Sequence, residues 1–203
     1  MGFASRTVSI IRYRVRGEVE GSFWDTVDSG IKKGAFRDIE TSGDIVAAGW
    51  ISIEDFTDNS FSGASYHRGN YVALALRIDS VKVPPRILEI HLKSETKKLL
   101  EQSDQKRLSS GQRRDLKERL RETLKSRIFP SIQVYDFIWD TSKEVVYFGS
   151  LGVKARERFE DHFKKSFGLR LLPIIPYIRA EDLLTDESER RALENLRPSS
   201  FIA

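Results

Sequence analysis

The 203-residue chain has no cysteine. This excludes a disulfide framework, a thiol nucleophile, a thiolate zinc finger and an iron–sulfur cluster, and it fits a reducing compartment. Long apolar runs are also missing. The longest are 71–76 (YVALAL) and the proline-interrupted 171–176 (LLPIIP), far short of the roughly 20 residues a membrane helix needs. The N-terminus has no apolar signal core. Met1-Gly2 is followed by Arg6, where a myristoylation start requires Ser or Thr. These absences lead to the expectation of a soluble, cytoplasmic protein with no membrane partner. Histidine is scarce too: His67, His91 and His162 lie far apart, and none has metal-ligand spacing. There is no glycine-rich phosphate loop, and 109–112 (SSGQ) is capping chemistry rather than a nucleophile elbow. No catalytic residue, metal, cofactor or small-molecule ligand is expected.

The composition supports a folded chain. Hydrophobic residues make up 39% and charged residues 32%, so a core is affordable and wholesale disorder is excluded. The length suits one domain or two small ones. The net charge of +4 permits an acidic or nucleic-acid partner without demanding one.

Periodicity predicts the order of elements. Apolar and basic residues alternate over 7–16, which reads as a strand. A helix is expected over 22–33, capped by Ser22, with Phe23, Val27 and Ile31 four apart and Gly34 as its stop. Residues 49–53 read as a strand, 55–69 as a long polar loop, and 71–78 as a central strand apolar on both parities. Pro84-Pro85 then opens a helix over 86–107. Ser109 and Gln112 match a capping box ahead of a second helix over 112–128, with Leu116, Leu120, Leu124 and Ile128 four apart. The two form a helical hairpin. Strands follow over 132–139 and 144–149, separated by a turn at 140–143. A helix fits 153–167, with Phe159 and Phe163 on one face and Gly168 as its stop. A closing edge strand fits 169–174, and one or two short helices fit 180–196. The expected class is α+β: a strand-helix-strand-strand half and a strand-strand-helix-strand half around a projecting basic hairpin. The segments are 1–85, 86–130, 131–179 and a helical tail over 180–203, read together as one compact domain.

Charge is concentrated in the hairpin. Residues 86–127 carry thirteen Lys and Arg against seven Asp and Glu, a balance of +6 that leaves −2 for the rest of the chain. On a wheel of 100° per residue, Arg114, Lys117, Arg121 and Lys125 form one stripe beside the leucines. Such a stripe suits a phosphate backbone. Lys93 and Lys97 on the first hairpin helix are candidates for the same face. The same region also contains i,i+3 and i,i+4 acid–base pairs, and a solvated helix face is the ordinary outcome of a charge run.

Two other features bear on function. Asp136, Asp140 and Glu144 are the only carboxylates that can be drawn as a nuclease metal site, and a turn Asp with an exposed Glu is their ordinary explanation. Phe129 stands between the basic helix and Pro130, either folded onto the core or offered to a partner.

Several segments, in order, resemble the bacterial recombination-associated RdgC proteins. They are 23–36, Gly49-Trp50, Val83-Pro84-Pro85 leading into a charged helix pair, 124–130 (LKSRIFP) through 138–140 (IWD), 150–168, and 171–176 (LLPIIP). The resemblance spans most of the chain, which looks like a short, C-terminally truncated member, since typical members are longer. It implies sequence-independent binding of DNA, duplex above all. It also implies a homodimer closed into a ring with a basic inner surface, association with the nucleoid, and restraint of RecA-driven strand exchange by occupying DNA. Phe129 matches a tip aromatic that hooks onto the partner subunit. The family has carried an exonuclease label, which the residues here do not support. The alternatives to this reading are a metal-dependent nuclease and a protein-interaction module.

Overall fold

The protein is described by a computed structural model that covers residues 3, 7–19, 21–39, 45–103 and 106–197. Along the chain come β1 (Ile11–Arg16), α1 (Phe23–Lys33), β2 (Val46–Ser52), a 3₁₀ turn (Ser62–Ala64), β3 (His67–Arg68), β4 (Tyr71–Ser80), α2 (Pro85–Glu101) and α3 (Ser110–Lys125). Then follow β5 (Ser131–Asp140), β6 (Val145–Phe148), α4 (Val153–Phe167), β7 (Arg170–Pro173), α5 (Pro176–Leu183) and α6 (Glu187–Glu194). The class is α+β.

Two compact units divide the chain: Met1–Ala35, Trp50–Leu76 and Tyr135–Ala203 form the first, and Phe36–Gly49 and Arg77–Val134 the second. The strands that lie wholly or partly in the first unit follow the order β2-β4-β5-β6-β1-β7, with β3 paired to β4. The N-terminal strand thus joins the C-terminal strands. Tyr13 lies opposite Val146 on one side and Pro173 on the other, and both pairings are antiparallel. β7 is an edge strand, which is where Pro173 is tolerated.

The core of this unit is aromatic. The period-four stripe Phe159, Phe163 and Phe167 of α4 is buried and meets Phe137, Trp139 and Phe148 of the sheet, with the Phe148 and Phe159 rings stacked at 4.1 Å. Each such ring removes roughly 150–250 Å² from water and sets the packing geometry. Trp50 is fully buried among Phe137, His162 and Phe167, and its indole N–H donates to the Ser166 hydroxyl at 2.8 Å. α1 comes so close to α4 and Trp50 that Gly30 and Gly34 have no room for a side chain. A Cβ on Gly30 would lie 2.5 Å from the Ser166 carbonyl oxygen, and one on Gly34 would lie 2.6 Å from Trp50 Nε1.

The second unit holds the hairpin. α2 and α3 pack against each other and bury Leu88, Leu92, Leu116 and Leu124. In the same unit Arg77 donates twice to the buried Asp79, at 2.9 and 2.7 Å, and lies 4.2 Å from the centre of the Phe36 ring.

Several expectations need correction. α2 ends at Glu101 rather than near 107: the Gln102 amide still donates to the Lys98 carbonyl at 3.1 Å, but the Ser103 amide donates to the Leu100 carbonyl at 3.4 Å, an i→i−3 tightening at the helix end. α3 ends at Lys125 rather than 128. Arg127 and Ile128 donate to the carbonyls of Leu124 and Lys125, an i→i+3 tightening ahead of Pro130. Ser22 stands at the N-cap of α1, but its side chain makes no capping bond; its carbonyl accepts from the Thr26 amide and hydroxyl. His91 is exposed. The part of the expected helical tail over 198–203 lies outside the described residues.

Candidate nucleic-acid interface

The hairpin begins with two local devices. Pro85 at the first turn of α2 supplies a preset φ where no amide is needed. At α3 the capping box is complete: the Ser109 hydroxyl accepts from the Gln112 amide at 3.2 Å, and the Gln112 side chain accepts from the Ser109 amide at 2.9 Å. Leu116 and Leu124 then turn the apolar side of α3 inward, which leaves its basic residues outward or flanking.

The six cations singled out from the sequence do not gather at one place. Lys93 and Lys97 line a cleft of about 690 Å³ at the loop end of the hairpin, floored by Leu92, Leu100 and Leu108. Arg114, Lys117, Arg121 and Lys125 run along α3 outside that cleft. Most of the six have an acidic neighbour on their own helix. Lys93 pairs with Glu89 at 3.1 Å and Lys97 with Glu101 at 3.8 Å, while Arg121 pairs with Glu118 and Lys125 with Glu122, both at 2.6 Å. Arg114 lies 3.9 Å from Asp115. Lys117 is exposed and has no ion pair among the described residues. The Lys125 side chain is only 22% exposed and the least available of the set.

The cleft holds three further cations not singled out from the sequence: Lys106, Arg107 and Arg113. They have no ion pair among the described residues, and among the described residues Glu101 is the one acid lining the cleft. Sequence reasoning missed Lys106 and Arg107 because it placed 102–107 inside a helix, where wheel angles would have scattered them. The available signal was Lys106-Arg107 directly before the capping box, with Arg113 one turn into the helix that follows. Solvated pairs at i,i+3 or i,i+4 contribute only a few tenths of a kcal/mol, so a phosphate competes readily for the paired lysines. The cleft cations that make no ion pair among the described residues require no such exchange with those residues.

Phe129 is 94% exposed, and Ile132 on the following strand is 57% exposed. The ring is therefore not folded onto the core.

The carboxylates drawn as a metal site are separated. Asp136 and Asp140 share a face of β5 four residues apart, roughly 13 Å along the strand, too far to chelate one ion. Asp136 accepts the Phe3 amide at 2.8 Å, and burial pushes its carboxyl above the usual range. Asp140 accepts the Ser142 hydroxyl at 2.7 Å and the Lys143 amide at 3.1 Å, and these donors hold it below the usual range. Among the described residues there is no group of three or more His, Cys, Asp or Glu placed to hold a metal ion, and no helix long and apolar enough to cross a membrane. No protein-family model matches the chain, and neither does any curated protein.

Proposed function

We propose that this protein binds DNA without reading its sequence, gripping phosphates with the α2–α3 hairpin, and that it acts non-catalytically. The observation that carries this reading is the cluster of Lys106, Arg107 and Arg113 with Lys93 and Lys97 in one cleft, inside a segment whose charge balance is +6. Phosphate contacts of this kind position a protein on DNA but carry no sequence information. Two neighbouring features fit the same reading. Lys117 and the paired cations of α3 extend the positive surface along the helix, and the exposed Phe129 offers an anchor to a second copy of the chain. The resemblance to the RdgC proteins supplies the biological setting: a nucleoid-associated homodimer, ring-shaped if it closes, that restrains RecA-type strand exchange by occupying duplex.

The test compares two charge-reversal sets by fluorescence anisotropy on labelled random-sequence duplex. K106E/R107E/R113E is expected to weaken binding more than R114E/K117E/R121E/K125E, because the second set also disrupts existing ion pairs and removes less unpaired charge. Unchanged affinity in both sets would sink the proposal. A specific observation favours one alternative, a protein-interaction module: the 94% exposed Phe129. That alternative predicts a stable protein complex lost in Phe129→Ala, with negligible DNA affinity.

A further inference from the structure

A second cleft, of about 600 Å³, lies within the first unit and has the opposite character to the basic one. Its walls include Phe23, Trp24 and Trp139, and among the described residues its charged lining is Glu18 and Glu144, with no basic side chain. The aromatic rings form a continuous run. Trp139 meets Phe23 edge-on at 5.4 Å, Phe23 meets Trp24 at 5.3 Å, and Trp24 lies 4.1 Å from the His67 ring. The run leads from a buried indole, 2% exposed, to one that is 38% exposed.

Two details are unexplained by packing. The indole N–H of Trp139 is buried without a hydrogen-bond partner among the described residues, although buried polar groups are normally satisfied; as a donor it suits an oxygen acceptor on a ligand rather than its cationic head. Glu144 sits at φ 54°, in the left-handed region. The hairpin between β5 and β6 requires that conformation, but it favours glycine or asparagine, and an ordinary side chain there is strained. A carboxylate is therefore held at the rim of an aromatic cleft in a position that selects against it.

We propose that this cleft binds a small organic ammonium cation. Two carboxylates with no compensating base repel phosphate, so a nucleotide is disfavoured. Of the two lining indoles only Trp24 is accessible, at 38% exposed, and an indole ring attracts a cation through its quadrupole, more strongly as the cation is desolvated. The volume matches that of ordinary small-molecule sites. The proposal stands apart from the DNA reading, since it concerns different residues of a different unit and an opposite charge.

The probe is choline, titrated by calorimetry against the whole chain, with 3,3-dimethylbutan-1-ol as its uncharged isostere. Choline is expected to saturate in the millimolar range and the isostere to bind about tenfold more weakly. Trp24→Ala and Glu144→Gln should each weaken choline severalfold. Glu144→Gly separates function from folding: relief of the left-handed strain should raise its thermal midpoint while choline binding falls. A peptide carrying trimethyllysine identifies the source of the cation. Tighter binding than choline points to a partner's side chain, weaker binding to a free metabolite, and both support the chemistry. The proposal is overturned if choline does not saturate up to about 10 mM, if the isostere binds equally well, or if Glu144→Gly is stabilised and binds choline unchanged.

Discussion

His162 is half-buried against Trp50, and its Nε2–H donates to the Gly34 carbonyl at 2.9 Å. Burial holds its pKa below the ordinary value. In the unfolded chain it titrates near about 6.5, so below that pH the unfolded state binds more protons than the fold. The stability tied to this group is complete above about pH 6.5 and is lost as pH falls through the depressed folded value. Urea titrations at about pH 7.5 and about 5.5 should show the wild type losing stability on acidification, and His162→Gln, which keeps a donor for Gly34, losing less. Equal losses in both would remove His162 as the source. Gly34 makes a sharper residue-scale claim. Because its Cβ would meet Trp50 Nε1 at 2.6 Å as well as the Ser166 hydroxyl, Gly34→Ala should destabilise by about 1–3 kcal/mol, measurable by the same titration. An unaffected midpoint would mean that α1 has slack the geometry does not show.

At the scale of elements, the capping box of α3 gives a direct prediction. Ser109→Ala removes the acceptor for the Gln112 amide and should cost about 0.5–2 kcal/mol, with faster amide exchange confined to the first turn of α3. Exchange rising evenly along the hairpin would instead place the weak point elsewhere. The elements best read in advance were those fixed by local chemistry. α4 was expected at 153–167 and occupies Val153–Phe167, because Phe159 and Phe163 mark its buried face and Gly168 stops it. The box at Ser109 and Gln112 was legible for the same reason. The end of α2 was not, because the polar run after 101 is made of helix-compatible residues with no glycine or proline to mark a stop. That error hid Lys106 and Arg107 from the candidate site. The wheel assigned Arg114, Lys117, Arg121 and Lys125 to one stripe, but it cannot show that neighbouring acids cover most of them.

Over the whole molecule, the pairing of β1 with β6 and β7 is the feature least visible in advance. It links residues more than 100 positions apart, and nothing in the alternation of 7–16 names a partner strand. The element order suggested two halves side by side in sequence; the pairing instead carries the N-terminal strand into the C-terminal set. The second cleft was illegible for the same reason, since Phe23, Trp24, Asn70, Trp139 and Glu144 meet only in the fold. Charge is different, because it can be counted before it is placed. The chain is only +4 overall, but its hairpin segment is +6, so DNA binding should be driven by a local field and weaken sharply with salt.

The central claim is an electrostatic grip on DNA by the hairpin, and the salt dependence of duplex affinity tests it most directly. If five or six cations meet phosphates, the logarithm of the binding constant should fall with the logarithm of salt concentration at a slope of about −5. The slope should be the same for unrelated sequences and shallower by about 3 in K106E/R107E/R113E. Affinity that is flat with salt, or a slope unchanged by that variant, would contradict the account.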